Sequence, residues 1–243
     1  MFKNLIKNNK FFGKSVLIAG TAGLVLTISS CTIGDPADKT KIEPFMEEYY
    51  NNLVIPGSDN QTEFSNKVQE AYNELMITGK TVKQDATKIT EFFDNFDEKD
   101  LKTFSEKLEE IDPNADKYHF DDNTTEKDKA AVYYADIMNV GSVTTFVEQS
   151  YTNDSDNDKI PEKPFDITVK TDKITVDKDN DNAVKLNQDN FIVTLDNGKQ
   201  SSKTDTSHSN TITLKQYNKK DGWIIDGNEY LKQVNNISEA EKE

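Results

Sequence analysis

The chain has 243 residues, of which 34% are apolar and 30% charged, and a mean hydropathy of −0.77, which excludes a polytopic membrane protein. Its formal charge is −15, and all 29 basic residues are lysine against 44 acidic residues. This balance argues against nucleic acid as a partner, because phosphate binding needs a basic surface. The single cysteine excludes an internal disulfide.

The first 31 residues have the order of a secretory signal. Residues 1–14 contain four lysines and no acid, and residues 15–28 are apolar or small. Small residues then precede Cys31, as expected before a cleavage site. An uncleaved membrane helix over residues 15–33 is the alternative. That stretch contains several Gly, Ser and Thr residues and is a poor span.

The sequence Ile28-Ser29-Ser30-Cys31 resembles the lipobox of bacterial lipoproteins. The resemblance implies a diacylglycerol on the Cys31 sulfur, carrying acyl chains such as palmitate, and cleavage before that residue. Two acyl chains give stable anchoring where one is marginal. We therefore expect residues 1–30 to be a signal peptide and the rest to be anchored on the outer face of a cell membrane. Because lysine is the only basic residue and Asn and Ile are abundant, we expect a Gram-positive source.

The chain after Cys31 is predicted to begin with a tether over residues 31–41 and a helical region over residues 42–120. Apolar residues recur there at intervals of three and four, the period of an amphipathic helix. Pro44 is placed in the first turn, and Pro56-Gly57, Gly79 and Pro113 are placed at helix ends. The four predicted stripes are Ile42, Phe45, Met46, Tyr49 and Leu53; Phe64, Val68, Ala71, Tyr72 and Leu75; Val82, Ala86, Ile89, Phe92 and Phe96; and Leu101, Phe104, Leu108 and Ile111.

A fifth helix over residues 124–140, with Asn123 as its N-cap, opens a predicted α+β region over residues 121–237. After Gly141 the apolar period changes to two, which is typical of strands. The strand candidates are Phe165–Val169, Ile174–Val176, Ala183–Leu186, Phe191–Leu195, Ile212–Tyr217 and Trp223–Ile225. Residues 238–243 are expected to fray. The fold class is therefore α+β, with N-terminal helices followed by a twisted antiparallel sheet.

The last predicted hairpin consists of Ile212–Tyr217, an Asp221-Gly222 turn and Trp223-Ile224-Ile225-Asp226. With the earlier hairpin 174–184, this pattern resembles the nuclear-transport-factor-like, or cystatin-like, α+β superfamily. The resemblance implies a cone-shaped sheet whose concave face can form a pocket. Phe191, Tyr217 and Trp223 are the candidate pocket residues, and Trp223 is expected to be buried in the last hairpin.

The chain contains no recognisable catalytic motif, and its histidines are few. His119 is interpreted as a packing residue between helices and His208 as a solvated loop residue. We therefore expect a non-enzymatic interaction or binding module of unknown ligand. The alternatives are a small-molecule binding lipoprotein that uses the cone-shaped pocket, and an enzyme of undetected type. The last would need a buried Asp or Glu beside a Tyr within a cavity.

One acidic loop raises the question of calcium. Asp154, Asp156, Asp158 and Glu162 occupy positions 1, 3, 5 and 9 of a loop that resembles D-x-D-x-D calcium loops, and Ca²⁺ prefers six to eight oxygen ligands. Lys159 stands where such loops need glycine, so a solvated acidic loop is the competing interpretation. Weak calcium binding is the hypothesis, and no other cofactor is expected.

Overall fold

The computed structural model describes residues 39–152, 160–170, 174–176, 183–186, 190–196, 201–203, 212–215 and 222–240. Five α-helices lie in this part of the chain: α1 (Lys39–Asn52), α2 (Ser58–Ile77), α3 (Glu98–Ile111), α4 (Glu126–Thr152) and α5 (Gly227–Ala240). Eight short strands accompany them: β1 (Tyr118–His119), β2 (Phe165–Val169), β3 (Thr175–Val176), β4 (Ala183–Leu186), β5 (Phe191–Asp196), β6 (Ser201–Lys203), β7 (Ile212–Lys215) and β8 (Ile224–Asp226).

The strands form two sheets, which together with the helices confirm the α+β class. One sheet has the order β1-β8-β7-β4-β3, and the other has the order β2-β5-β6. The last hairpin pairs β7 with β8, with Leu214 opposite Ile225. Strand β1 pairs with β8 in parallel, which differs from the predicted purely antiparallel sheet. The cone shape of the cystatin-like resemblance stays a prediction.

Helix α4 is the central element of the core. Every residue from Ala130 to Met138 is buried, so the helix is covered on all sides rather than along one stripe. It continues through Gly141 to Thr152, which corrects the predicted end at residue 140. The other elements supply apolar residues to the same buried cluster, including Ile42 of α1 and Val193 of β5.

The predicted N-cap of α4 is also corrected. The Thr125 hydroxyl accepts a hydrogen bond from the backbone N–H of Asp128 at 3.1 Å, and the Asp128 carboxylate lies 3.4 Å from the backbone N of Thr125. This reciprocal pair is a capping box, and it begins the helix at Glu126. Asn123 instead donates its backbone N–H to the Asp121 side chain in the preceding turn.

The predicted third helix is wrong. Only Thr90–Phe93 is helical in that stretch, as a short 3₁₀ turn. The chain before it folds back instead, because the backbone N–H of Lys83 donates to the Phe92 carbonyl at 3.0 Å. Val82, Phe92 and Phe96 are all buried from this irregular path. These three residues have helical spacing in the sequence and are buried in the structure, but no helix connects them.

The other three N-terminal helices are confirmed, with changes at the start of α1. Helix α1 begins at Lys39, inside the segment predicted as tether, so Pro44 lies beyond the first turn. Gly79 ends α2 with a φ of 79°, a backbone conformation that glycine adopts at no steric cost. Asp97 caps α3 by accepting the backbone N–H of Asp100.

Helix α5 was not predicted, although its start carries a capping signal. The Asp226 carboxylate accepts the backbone N–H groups of Asn228 and Glu229 at 3.0 and 3.1 Å. Tyr230 and Val234 then turn inward at i and i+4. The helix extends to Ala240, into the segment expected to fray.

Helix α1 covers the free edge of β2. The Asn51 side chain donates to the Phe165 carbonyl at 3.0 Å and accepts the Phe165 N–H at 2.9 Å. The Glu43 carboxylate accepts the Val169 N–H at 2.8 Å. These contacts satisfy edge groups that would otherwise need water or another strand. No described helix combines the length and apolar character needed to cross a bilayer.

Candidate functional site

A polar cluster lies inside the core where α1, the segment after α3, α4 and α5 meet. We call it the core polar cluster, and its members are Tyr49, Asp112, Asn114, Tyr118, Asp136 and Tyr230. Asp136 and Asn114 are completely buried, and Asp112 is 5% exposed. Buried carboxyl groups are rare, because removing a charge from water is costly unless it is hydrogen-bonded, paired or neutralised.

Asp136 is the centre of the cluster. Its Oδ1 accepts a hydrogen bond from the Tyr49 hydroxyl at 3.0 Å, and its Oδ2 accepts one from the Asn114 amide at 3.2 Å. The Tyr49 and Tyr118 hydroxyl oxygens are 3.4 Å apart. The rings of Tyr118 and Tyr230 pack with their centroids 5.3 Å apart, which closes the cluster on the α5 side.

Asp112 joins Asp136 from the end of α3, where Pro113 stops the helix. Its Oδ1 accepts the backbone N–H of Asn114 at 2.8 Å, while its buried Oδ2 has no hydrogen-bond donor. Asn114 bridges the two carboxyl groups, because its backbone N–H donates to Asp112 and its side-chain amide donates to Asp136. Two like charges held this close in the core repel each other, and protonation of one carboxyl group removes that repulsion.

Burial is the largest influence on the acidity of these groups. Burial and the neighbouring charge of Asp136 raise the pKa of Asp112 to about 10. Burial raises the pKa of Asp136 too, opposed by hydrogen bonds from Asp112, Asn114 and the tyrosines. Burial also raises the pKa of Tyr49, Tyr118 and Tyr230, which keeps all three phenols neutral.

An open groove of about 590 Å³ lies at the surface beside β1. We call it the acidic groove. Three aromatic residues contribute to its lining, namely Phe120, which is partly exposed, and the buried Tyr118 and Tyr133. Four acidic residues surround them, namely Glu109, Asp116, Asp121 and Asp122, and the remaining lining residues are Ala115, His119, Thr124 and Lys129.

Only some of the charged groups in the acidic groove have an ion-pair or hydrogen-bond partner. Lys129 pairs with Glu126 at 2.9 Å, and Asp121 accepts hydrogen bonds within its own turn. Within the described part of the chain, Glu109 and Asp122 are exposed and form no ion pair. The groove therefore presents two uncompensated carboxylates near the partly exposed Phe120.

The aromatic wall of the groove is held by close packing. The rings of Phe120 and Tyr133 meet edge to face at 5.6 Å, and Tyr118 stacks on Phe120 at 6.5 Å. A Cβ on Gly227 would lie 2.4 Å from the Phe120 ring, so α5 begins close against this wall only because residue 227 is glycine. Glycine is required at position 227 because of this close contact and not because of its backbone angles.

Tyr118 is part of both the acidic groove and the core polar cluster, and it lies between them. The residue lines the acidic groove, and its hydroxyl reaches Tyr49 in the core polar cluster. Asp112 and Asp136 do not line the groove. The structure thus places a buried Asp beside a Tyr, as an enzyme would need, but places it behind the wall of the groove.

The predicted site residues are only partly described. Cys31, the calcium-loop residues Asp154, Asp156 and Asp158, and Tyr217 lie outside the described residues, as does His208. Glu162 is exposed between α4 and β2. Among the described ranges, no three His, Cys, Asp or Glu side chains gather in a group able to hold a metal.

Of the three candidate pocket residues, only Trp223 has a side chain within the described structure. Phe191 lies in β5, opposite Val169, and its side chain is outside the described part. Trp223 is 7% exposed, which confirms its predicted burial, and it directly precedes β8. His119 lies in β1 and lines the acidic groove, whereas it was interpreted as packing between helices.

Sequence reasoning missed both the core polar cluster and the acidic groove. Asp112, just before Pro113, looks like a helix-end residue, and Asp136 lies between apolar residues of the α4 pattern. An acid inside an otherwise buried run was the available signal for Asp136. No sequence signal pairs it with Asp112, because their contact depends on how α3 packs against α4. No family model, curated protein or solved structure matches this chain.

Proposed function

We propose that this protein is a lipid-anchored, extracytoplasmic binding module without enzymatic activity. The lipobox-like sequence ending at Cys31 supports the anchor, and the acidic groove supports the binding role. The observation that carries the binding role is the groove itself, in which aromatic residues and unpaired carboxylates line one open depression. A cone-shaped pocket in a cystatin-like sheet is part of the same proposal.

The lining of the groove favours a cationic ligand. Carboxylates such as Glu109 and Asp122 attract ammonium or guanidinium groups, and aromatic faces such as Phe120 attract cations through their π electrons. The formal charge of −15 adds long-range attraction for a basic partner. The ligand that we propose for the acidic groove is a basic segment of a surface protein, with lysine or arginine side chains.

The groove is tested with a fluorescently labelled oligolysine peptide and the full chain in detergent micelles. The probe is expected to bind the unaltered protein, and an uncharged peptide of equal length is not. The double substitution Glu109→Gln and Asp122→Asn is expected to weaken binding about three- to tenfold, because each exposed ion pair contributes up to about 1 kcal/mol. Fluorescence anisotropy measures the change.

The matched control removes the same charge elsewhere. Asp59 and Asp85 are exposed, have no ion pair within the described structure and do not line the groove. The double substitution Asp59→Asn and Asp85→Asn is expected to leave the affinity nearly unchanged. Equal losses in the two double variants would mean that the peptide responds to overall charge, and the groove proposal would fall.

The anchor is tested separately by the substitution Cys31→Ala. We expect this variant to lose all incorporation of a palmitate analogue in living bacteria, because the thiol that would carry the lipid is gone. Ser29→Ala is the matched control, since it keeps a small residue in the lipobox and should keep the label. Label that persists in Cys31→Ala would refute the anchor. An unlabelled wild-type chain that remains in the membrane would favour an uncleaved helix.

A further inference from the structure

We propose that the core polar cluster is a proton-binding site in which Asp112 and Asp136 hold one proton between them when the protein is folded. The proton comes from solvent on folding and returns to it on unfolding. This inference is independent of the proposed binding function, because it concerns groups that do not line the acidic groove.

The geometry leaves a proton as the partner that completes the pair. Asp136 receives donors on both oxygens, from Tyr49 and Asn114, as an ionised carboxylate should. Asp112 has one oxygen satisfied by a backbone N–H and one buried oxygen without a donor. A proton on Asp112, shared with Asp136, removes one of two like charges and supplies the hydrogen bond between the carboxyl groups.

Within the described residues, no cation removes the need for that proton. Lys117 is buried, but its Nζ pairs with Glu48 at 2.7 Å and Asp116 at 3.8 Å. The other titratable groups that act on the cluster are acids or phenols, which cannot compensate a second negative charge. They are Tyr49 and Tyr50 of α1, Asp116 and Tyr118 before and in β1, Tyr133 of α4 and Tyr230 of α5, and Glu109 and Glu126 act in turn on Tyr133.

The consequence is that folding takes up a proton over a wide pH range. An unfolded Asp titrates near pH 4, whereas burial raises the pKa of Asp112 to about 10. Between these limits the folded state binds one proton more than the unfolded state. The stability due to this site is therefore complete in acid and falls as the pH rises. The equilibrium constant for unfolding should rise about tenfold for each pH unit from this site alone.

The test measures urea unfolding of the full chain in detergent micelles at several pH values between about 5 and 9. Surface carboxylates affect every variant similarly, so the informative quantity is the ratio of unfolding constants between wild type and variant. For Asp112→Asn, whose amide can donate to Asp136 without a proton, this ratio is expected to change about tenfold per pH unit. A constant ratio would overturn the proposal.

Two further measurements keep the result unambiguous. Asp85→Asn makes the same chemical change on an exposed side chain away from the cluster, and its ratio to wild type should stay constant with pH. Infrared spectroscopy of the wild type at about pH 8 needs no variant to fold. Free carboxyl groups are ionised there, so the carbonyl stretch of a protonated carboxylic acid is expected from the buried pair. Absence of that band would also overturn the proposal.

Discussion

Replacing Phe93 with alanine is expected to lower the free energy of unfolding by about 3–5 kcal/mol. Phe93 is completely buried in the 3₁₀ turn after α2. Its ring packs against Phe92 at 5.2 Å and against Phe104 and Tyr134, each at 5.6 Å. Alanine would leave a cavity among three rings, two of which α3 and α4 hold in place, so little of the loss can be recovered by collapse.

Phe146→Ala is the matched control for this substitution. Phe146 lies on α4 with 48% of its surface exposed, and its removal should cost about 0.5 kcal/mol or less. Urea unfolding followed by circular dichroism measures both variants. Similar losses in the two would mean that Phe93 is not packed as the structure places it.

Replacing Trp223 with alanine is expected to cost a similar amount, about 3–5 kcal/mol. Trp223 is the only tryptophan in the chain, and it is buried immediately before β8. Soluble proteins are stable by only about 5–15 kcal/mol, so this single change would consume much of the total. Circular dichroism is the appropriate signal, because the variant lacks the fluorescent indole.

Trp223→Phe separates packing from hydrogen bonding at this position. The indole Nε1 is buried and has no hydrogen-bond partner within the described part of the chain. Phenylalanine therefore removes an unsatisfied donor while keeping most of the apolar volume, and it should cost less than about 1.5 kcal/mol. A loss equal to that of Trp223→Ala would show that the indole N–H has a partner on which stability depends.

Where local and tertiary requirements agree, the sequence predicts the fold well. Helices α2 and α3 have an apolar stripe, an end signal and a buried face in the same register, so both were predicted. Strand β2 alternates buried and exposed residues along its length, and the period of two follows directly from that. In such elements the burial pattern and the backbone geometry have the same period.

The failures arise where burial does not follow the period of one element. Val82, Phe92 and Phe96 are buried from an irregular segment, so helical spacing predicted a helix that is absent. Helix α4 is buried on every side from Ala130 to Met138, so no single apolar stripe runs along it to show its full length. Strand β1 has two residues and exists only because β8 lies beside it.

The sequence by itself determined that the chain alternates between helical and strand periods, that it is strongly acidic, and that Cys31 lies in a lipobox-like context. These properties depend on neighbouring residues or on composition. Only the tertiary structure decided that Asp112 meets Asp136 beside Tyr49, and that acids from α3 and from the loops on either side of β1 share one groove. The reason is that such contacts join residues far apart in the chain, and their distances are fixed by how helices and strands pack rather than by any local pattern.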